Sequence, residues 1–444
     1  MIICFIVKID MRNTLIIQGL AGAFLLLCLS VTGCRKEEDL VLPDFDKSGE
    51  VLKAQEGNPT DKWISENLTK PYNIQILWRW DYKMAGYKKN FIPPLEENVL
   101  PYAKIIKTCF LDTYTEVAGN SFIKPLVPKQ FLMLGEWGYN KNGTITLGQA
   151  ESGRMITFFG VNHWNELPDE GYPWIREAVH TTFHEFGHIL HQTKLYSKDF
   201  QTISKQYYTD QWNNEKELDA RKKGFISTYA MSTHNEDFVE IIAFYTTLTP
   251  KAFKERTFEG IQATAKDVEK ATKKADEAAS KAADAKVVAE KLRKAATAAI
   301  EAAKSEGTPE AEKKAQDLIA KANAAIAEAK TAESAATTAK ADLASAIEAD
   351  KKANACYQDL LHKITMVKEY LKSSWNVDLD LLRDKALANA AKAFADPSIF
   401  PGASAPLTGA SFPTTRALVS PYAHNCHKCN FAGATPVANA PGRD

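Results

Sequence analysis

In the run Val179-His180-Thr181-Thr182-Phe183-His184-Glu185-Phe186-Gly187-His188-Ile189-Leu190, two histidines stand four residues apart and a glutamate directly follows the first. On an α-helix this spacing stacks His184 and His188 on one face, where both imidazoles can reach a single metal ion with Glu185 beside them. That is the ligand geometry of a zinc hydrolase. The surroundings predict such a helix independently: Ile175, Val179, Phe183, Phe186, Ile189 and Leu190 recur at helical period. Pro173 suits a first turn, and only Gly187 disfavours helix between Trp174 and Gln192. A bare five-residue match is also met by two core histidines satisfied by hydrogen bonds, so other residues have to decide.

Catalytic zinc takes three protein ligands and keeps a fourth position for water. Gln192, Thr193 and Lys194 follow His191, so the pattern with a third histidine shortly after the second is absent and a glutamate on a separate helix is required. The segment Tyr229 to Tyr245 fits. Phe238, Val239, Ile241, Ile242 and Tyr245 face one side, while Glu236 and Glu240 share another at i, i+4. One of these carboxylates could bind the metal and the other could orient a ligand histidine. Thr233-x-x-Glu236 also reads as a capping box, which would employ Glu236 at the helix start instead.

Taken together, His184-Glu185-Phe186-Gly187-His188, Tyr229, Asn235-Glu236 and Phe238-x-Glu240 resemble the gluzincin metalloproteases of the anthrax lethal factor type. With the N-terminal features below they are still more similar to the zinc-binding metallopeptidase lipoproteins of Bacteroidetes, substrate import-associated zinc metallohydrolases found beside nutrient-import systems. The resemblance spans about residues 60 to 260 and resumes at Ile364 to Tyr370 and Trp375 to Asp380. It implies Zn²⁺ on His184, His188 and Glu236, with Glu185 as general base and then proton donor to the leaving amine. It also implies that Tyr229, seven positions before Glu236, donates a hydrogen bond to the developing oxyanion. Glu240 or Asp237 is then the group that orients a ligand histidine. His180, His191 and His234 border the site as non-ligands.

The elements that must position these residues are also legible. Ile74 to Trp80, Phe131 to Trp137 and Met155 to Phe159 read as strands, and Asn142-Gly143 as a hairpin turn before Ile145 to Leu147. Pro93-Pro94 introduces an apolar helix through Val99, Ile105, Ile106 and Phe110 to about Val117, stopped by Gly119-Asn120. A small sheet directly before a zinc helix could hold an extended peptide along one edge, and Gly153 to Gly160 is the expected edge strand. The expected class is α+β: a zincin-like domain with a small sheet and an active-site helix, over residues 61–260 and 353–395.

Between 261 and 352 the composition turns to Ala, Lys, Glu and Asp, all strong helix formers except Asp. Ser305-Glu306-Gly307-Thr308-Pro309-Glu310 supplies a stop, a cap and a first-turn proline, which predicts a long helical hairpin inserted into the catalytic domain. Residues 396–444 are rich in Pro, Ala, Gly, Ser and Thr and read as an irregular tail. Cys426 and Cys429 in it could bind metal or form a disulfide, with no second cysteine pair to complete a zinc site.

At the other end, Leu15 to Leu29 is an apolar run too short for a comfortable membrane span, closed by Ser30-Val31-Thr32-Gly33-Cys34. It resembles a lipoprotein signal over residues 1–33, with acylation of Cys34 and a polar tether over 34–60. Arg35-Lys36-Glu37-Glu38-Asp39 resembles the surface-export signal of Bacteroidetes lipoproteins, which implies an outer-membrane, outward-facing location. The 55 basic and 55 acidic residues balance, so no electrostatic case for nucleic acid exists. The expected function is zinc-dependent peptide hydrolysis at a membrane anchored through Cys34, with peptide or protein substrates and nutrient-import components as partners. A non-catalytic peptide- or glycan-binding lipoprotein on the same scaffold is the alternative, and an adhesin acting through the hairpin a third.

Overall fold

The computed structural model describes residues 57–79, 92–140, 145–151, 153–165 and 175–400. The expected signal, Cys34, most of the tether, the Asn142-Gly143 turn, Pro173, Trp174, Cys426 and Cys429 lie outside them. The described residues form a mostly helical α+β body with a small four-stranded sheet and a separate two-stranded pair.

Strand β1 (Gln75–Leu77) is followed by α1 (Glu96–Ile106), which runs through a π-helical segment, Lys107–Asp112, into α2 (Thr113–Ala118). Gly119, at φ 81°, stops it where the chain needs a left-handed residue. Then come β2 (Gln130–Met133), the two-stranded pair β3 (Gly138–Tyr139) and β4 (Ile145–Thr146), β5 (Gly148–Glu151) and β6 (Met155–Phe158). The four-stranded sheet has the order β1-β2-β6-β5, with β1, β2 and β6 parallel and β5 antiparallel to β6.

This order corrects one expectation. The run Gly153 to Gly160 is not an edge; its β6 lies between β2 and β5. The reason is written in its burial: Met155, Ile156, Thr157 and Phe158 are all inside, as a strand covered on both faces requires. The edge beside it is β5, where Gln149 is exposed. Gly148 of β5 lies so close to Thr181 that a Cβ there would fall 2.1 Å from the Thr181 Cγ2. The sheet edge therefore borders the next helix.

That helix, α3 (Ile175–Thr193), carries His184 and His188. Its apolar stripe anchors it: Phe183 and Phe186 meet Phe110 edge-on, at centroid distances of 5.5 and 5.3 Å, and Tyr114 packs against Phe186 at 4.9 Å. After α4 (Glu217–Lys222) comes a 3₁₀ turn at Tyr229–Met231, then α5 (His234–Thr247), whose N-cap Thr233 accepts the Glu236 amide. Helices α3 and α5 cross closely at Gly187. A Cβ there would meet Val239 Cγ1 at 3.0 Å and Cβ at 3.2 Å, so the residue that weakens the helical pattern is the one the crossing needs.

The alanine-rich stretch lies within two very long helices, α6 (Pro250–Glu306) and α7 (Pro309–Trp375), joined at Gly307 with φ 62°. Thr249 and Thr308 cap their starts, each followed by a first-turn proline. Away from the body the contact is made by alanines. Ala289 and Ala296, like Ala315 and Ala322, are buried one heptad apart, and a methyl group lets two helices approach closely. Neither 260/261 nor 352/353 is marked by a helix break; burial changes there, with Phe253 to Thr264 and Ala353 onward set into the body. Helix α8 (Leu379–Ala395) closes the described chain over α5 and the π-helical segment, with Asn389 donating to Thr113 Oγ1 at 3.1 Å. Among the described residues no helix is long and apolar enough to cross a membrane.

Candidate metal centre

Helix α3 presents His184 and His188 on the face turned to α5, and the first turn of α5 presents Glu236 to both. Glu236 Oε2 lies 3.0 Å from His184 Nε2 and 3.2 Å from His188 Nε2, and the two nitrogens are 3.2 Å apart. Three donor atoms thus converge on one point. With metal–donor bonds of about 2.0–2.1 Å, tetrahedral zinc spaces its ligand atoms roughly 3.3 Å apart, so this set is of the right type, number and spacing.

Each histidine is oriented from behind. Glu240, one turn after Glu236 and fully buried, accepts His184 Nδ1–H at 2.8 Å, which leaves the lone pair of Nε2 facing the centre. The same carboxylate accepts from His180 Nε2 at 3.3 Å and from Ser227 Oγ at 2.5 Å. His188 Nδ1 lies 2.9 Å from His191 Nε2. Burial, then the neighbouring His188, push the His191 pKa down to about 4, so it is neutral at pH 7 and can accept that proton.

His180, His184 and Glu240 form a second triad of potential ligands. It is buried throughout and its donors already satisfy one another, whereas the side chains of His188 and Glu236 keep 14% and 18% exposure. Only the first triad can admit a substrate.

Electrostatics hold the centre ionised. Burial opposes charge on Glu236, yet the Nε2 edges of His184 and His188 that face it outweigh burial and keep the carboxyl well below the usual range; a metal ion on those nitrogens would supply the same positive charge. Burial, then the carboxylates of Glu236, Glu240 and Glu185, push the Tyr229 phenol far above its ordinary value. It therefore stays protonated as a donor. Tyr229 hydrogen-bonds Glu236 and its ring centroid is 5.8 Å from that of His184, with Trp212 edge-on at 4.9 Å. Glu185 is half-buried, and its charge acts on both His184 and Tyr229.

His184, Glu185, His188, Tyr229, Glu236 and Glu240 come together. Asp237 does not join them: it points to the other side of α5, where Oδ2 accepts from Lys363 Nζ at 2.7 Å and Tyr208 Oη at 3.0 Å. Of the capping box only half forms, because Thr233 caps the Glu236 amide while the Glu236 carboxylate is engaged by the histidines. His234 meets Tyr196 Oη at 2.7 Å, away from the donor atoms. His191 borders the site as a non-ligand, as the sequence suggests, but its orienting role and the whole of Ser227 are not legible there. For His191 the one signal is its i+3 spacing from His188; Ser227 has none, thirteen residues from a partner on another element.

A family model described as "Putative zinc-binding metallo-peptidase" matches residues 53–380, well over half of the chain. A crystal structure of a protein described in the same words, from Bacteroides caccae, is 24% identical. It covers 78% of this chain and 98% of its own, with a TM-score of 0.47. No curated protein matches.

Proposed function

The chain belongs to this family of zinc-binding metallo-peptidases, and on that premise we propose a hydrolase of the His-Glu-x-x-His gluzincin type, with His184, His188 and Glu236 as zinc ligands. The observation that carries this reading is the convergence of two imidazole nitrogens and one carboxylate oxygen within 3.0–3.2 Å of one another.

Zinc bound there would lower the pKa of a water to about 7 and polarise a peptide carbonyl. Glu185 accepts the proton of the attacking water and delivers it to the leaving amine. Tyr229 donates its hydroxyl hydrogen to the carbonyl oxygen as negative charge develops there. Glu240 holds His184 by Nδ1, and His191 does the same for His188. An extended substrate would lie along β5, the edge that borders α3. A binding module has no use for Glu185 beside a complete ligand set, which disfavours the non-catalytic alternative.

The same reading places the protein, by its Leu15 to Cys34 segment, as a lipoprotein acylated on Cys34 and facing outward on a bacterial outer membrane, working with nutrient-import components. Labelled palmitate should enter the wild type and not Cys34→Ala; equal labelling would refute the anchor. For the centre, metal analysis should find one zinc per chain in the wild type and a loss of it in Glu236→Ala. Unchanged occupancy would remove Glu236 from the ligand set. A peptide library should be cleaved, inhibited by a zinc chelator and restored by added zinc.

A further inference from the structure

Three ionised side chains are buried behind the centre without touching its donor atoms. Arg256, near the start of α6, and Glu217 and Arg221, on α4, keep side-chain exposures of 4%, 8% and 1%. Glu217 Oε2 accepts from Arg221 at 2.6 Å and from Arg256 Nη2 at 2.8 Å. Its Oε1 accepts the Thr228 amide at 3.0 Å and the Thr228 hydroxyl at 2.9 Å. Arg256 Nε donates to the Ile226 carbonyl at 2.7 Å, and its guanidinium lies 4.2 Å from the centroid of Phe244 on α5.

A buried cluster of this kind roughly breaks even in stability against an apolar packing, because desolvating the ions offsets their attraction. What it supplies is position. The backbone is gripped at Ile226 by Arg256 of α6 and at Thr228 by Glu217 of α4, while Ser227 between them donates to Glu240, the residue that orients His184. Tyr229 follows directly, so its ring is carried by a backbone pinned on both sides and referenced to the ligand helix through Phe244.

We propose that Arg256, acting through Ile226 and through Glu217 and Thr228, is a positioning residue for Tyr229, holding its hydroxyl where the oxyanion of a peptide substrate develops. The inference rests on the role assigned to Tyr229 under the proposed function. A planar fork is needed for it: one edge serves a backbone carbonyl and another a carboxylate, which a lysine cannot do.

The test is a double-mutant cycle on the zinc-loaded, full-length protein with a peptide that the wild type cleaves. Tyr229→Phe should lower kcat by roughly 10²-fold, as loss of one oxyanion donor does, with KM and zinc content unchanged. Arg256→Lys should lower kcat about tenfold by misplacing that donor, again with zinc and KM retained. In the Tyr229→Phe background, Arg256→Lys should change kcat by less than about twofold, because the residue it positions has lost its hydroxyl. Equal tenfold losses in both backgrounds would overturn the inference and leave the Tyr229 reading standing. A Tyr229→Phe enzyme with full kcat would overturn both.

An independent readout needs no activity. In metal-free protein, amide exchange across residues 225–232 should rise about tenfold in Arg256→Lys while residues 184–190 keep their protection; unchanged exchange across 225–232 would also refute the inference. If Arg256→Lys fails to fold, Thr228→Val removes one contact to Glu217 and is judged by the same cycle and the same exchange.

Discussion

Glu236 and Glu240 sit one turn apart on the same helix and do different work because of what lies behind each. Glu236 meets the two Nε2 atoms from a partly open side, and Glu240 meets His184 Nδ1 from a sealed one. Their substitutions should separate cleanly. Glu240→Gln should retain zinc but weaken its affinity by about 10–100-fold, as expected when a ligand histidine loses its orienting carboxylate. A competitive chelator titration measures this, and wild-type affinity would contradict the role. Glu185→Gln should keep zinc stoichiometry while kcat falls by at least ~10²-fold, since under the proposed mechanism only the proton acceptor is lost. Loss of the metal in that variant would mean that Glu185 is a ligand.

At the scale of elements, the centre depends on how closely α3 and α5 cross and on what holds α5 in place. Gly187→Ala sets a methyl group against Val239 at 3.0 Å. Better helix propensity returns up to ~1 kcal/mol, but overpacking costs about 1–3, so the variant should be less stable and bind zinc more weakly. Urea unfolding with and without zinc would show it; a more stable variant would refute the tight crossing. On the opposite face of α5, Lys363 of α7 and Asp237 are both fully buried and paired at 2.7 Å. Lys363→Met strands a buried carboxylate and should cost about 3–5 kcal/mol, much of it recovered by adding Asp237→Leu. Additive losses in the double variant would show that the pair is not coupled.

For the whole molecule, the two long helices enter the body only by their roots. Thr264 Oγ1 and Asp350 Oδ1 are 2.6 Å apart, and Lys274 Nζ and Asp342 Oδ2 are 2.8 Å apart farther out, so the helices are already side by side at that height. Replacing residues 275–341 by a short glycine-containing turn leaves Arg256 and Lys363 in place. The shortened protein should bind one zinc and cleave the same peptide with kcat within about twofold, because loops added far from a packed core cost little. Loss of zinc on shortening would show that the distal helices support the centre.

Features governed by local rules were legible along the chain. Four-residue spacing puts His184 above His188 once a helix forms, the apolar period of α3 says that it does, and Gly307 with Thr308-Pro309 marks where one long helix stops and the next starts. Gly119 ended its helix for the same local reason. Relations across long sequence separation were not legible, because no period or cap carries information about them. Strand β6 became interior because β5 folds back beside it, and Asp237 turned to Lys363, 126 residues away, instead of to a histidine. Helical spacing alone does not choose between Glu236 and Glu240; the family resemblance points to Glu236 at the donor point, and the geometry supplies the physical reason. Both lie on one helical face, and only the approach of α3 across Gly187 and the anchoring of Ser227 set which carboxylate meets Nε2 and which meets Nδ1.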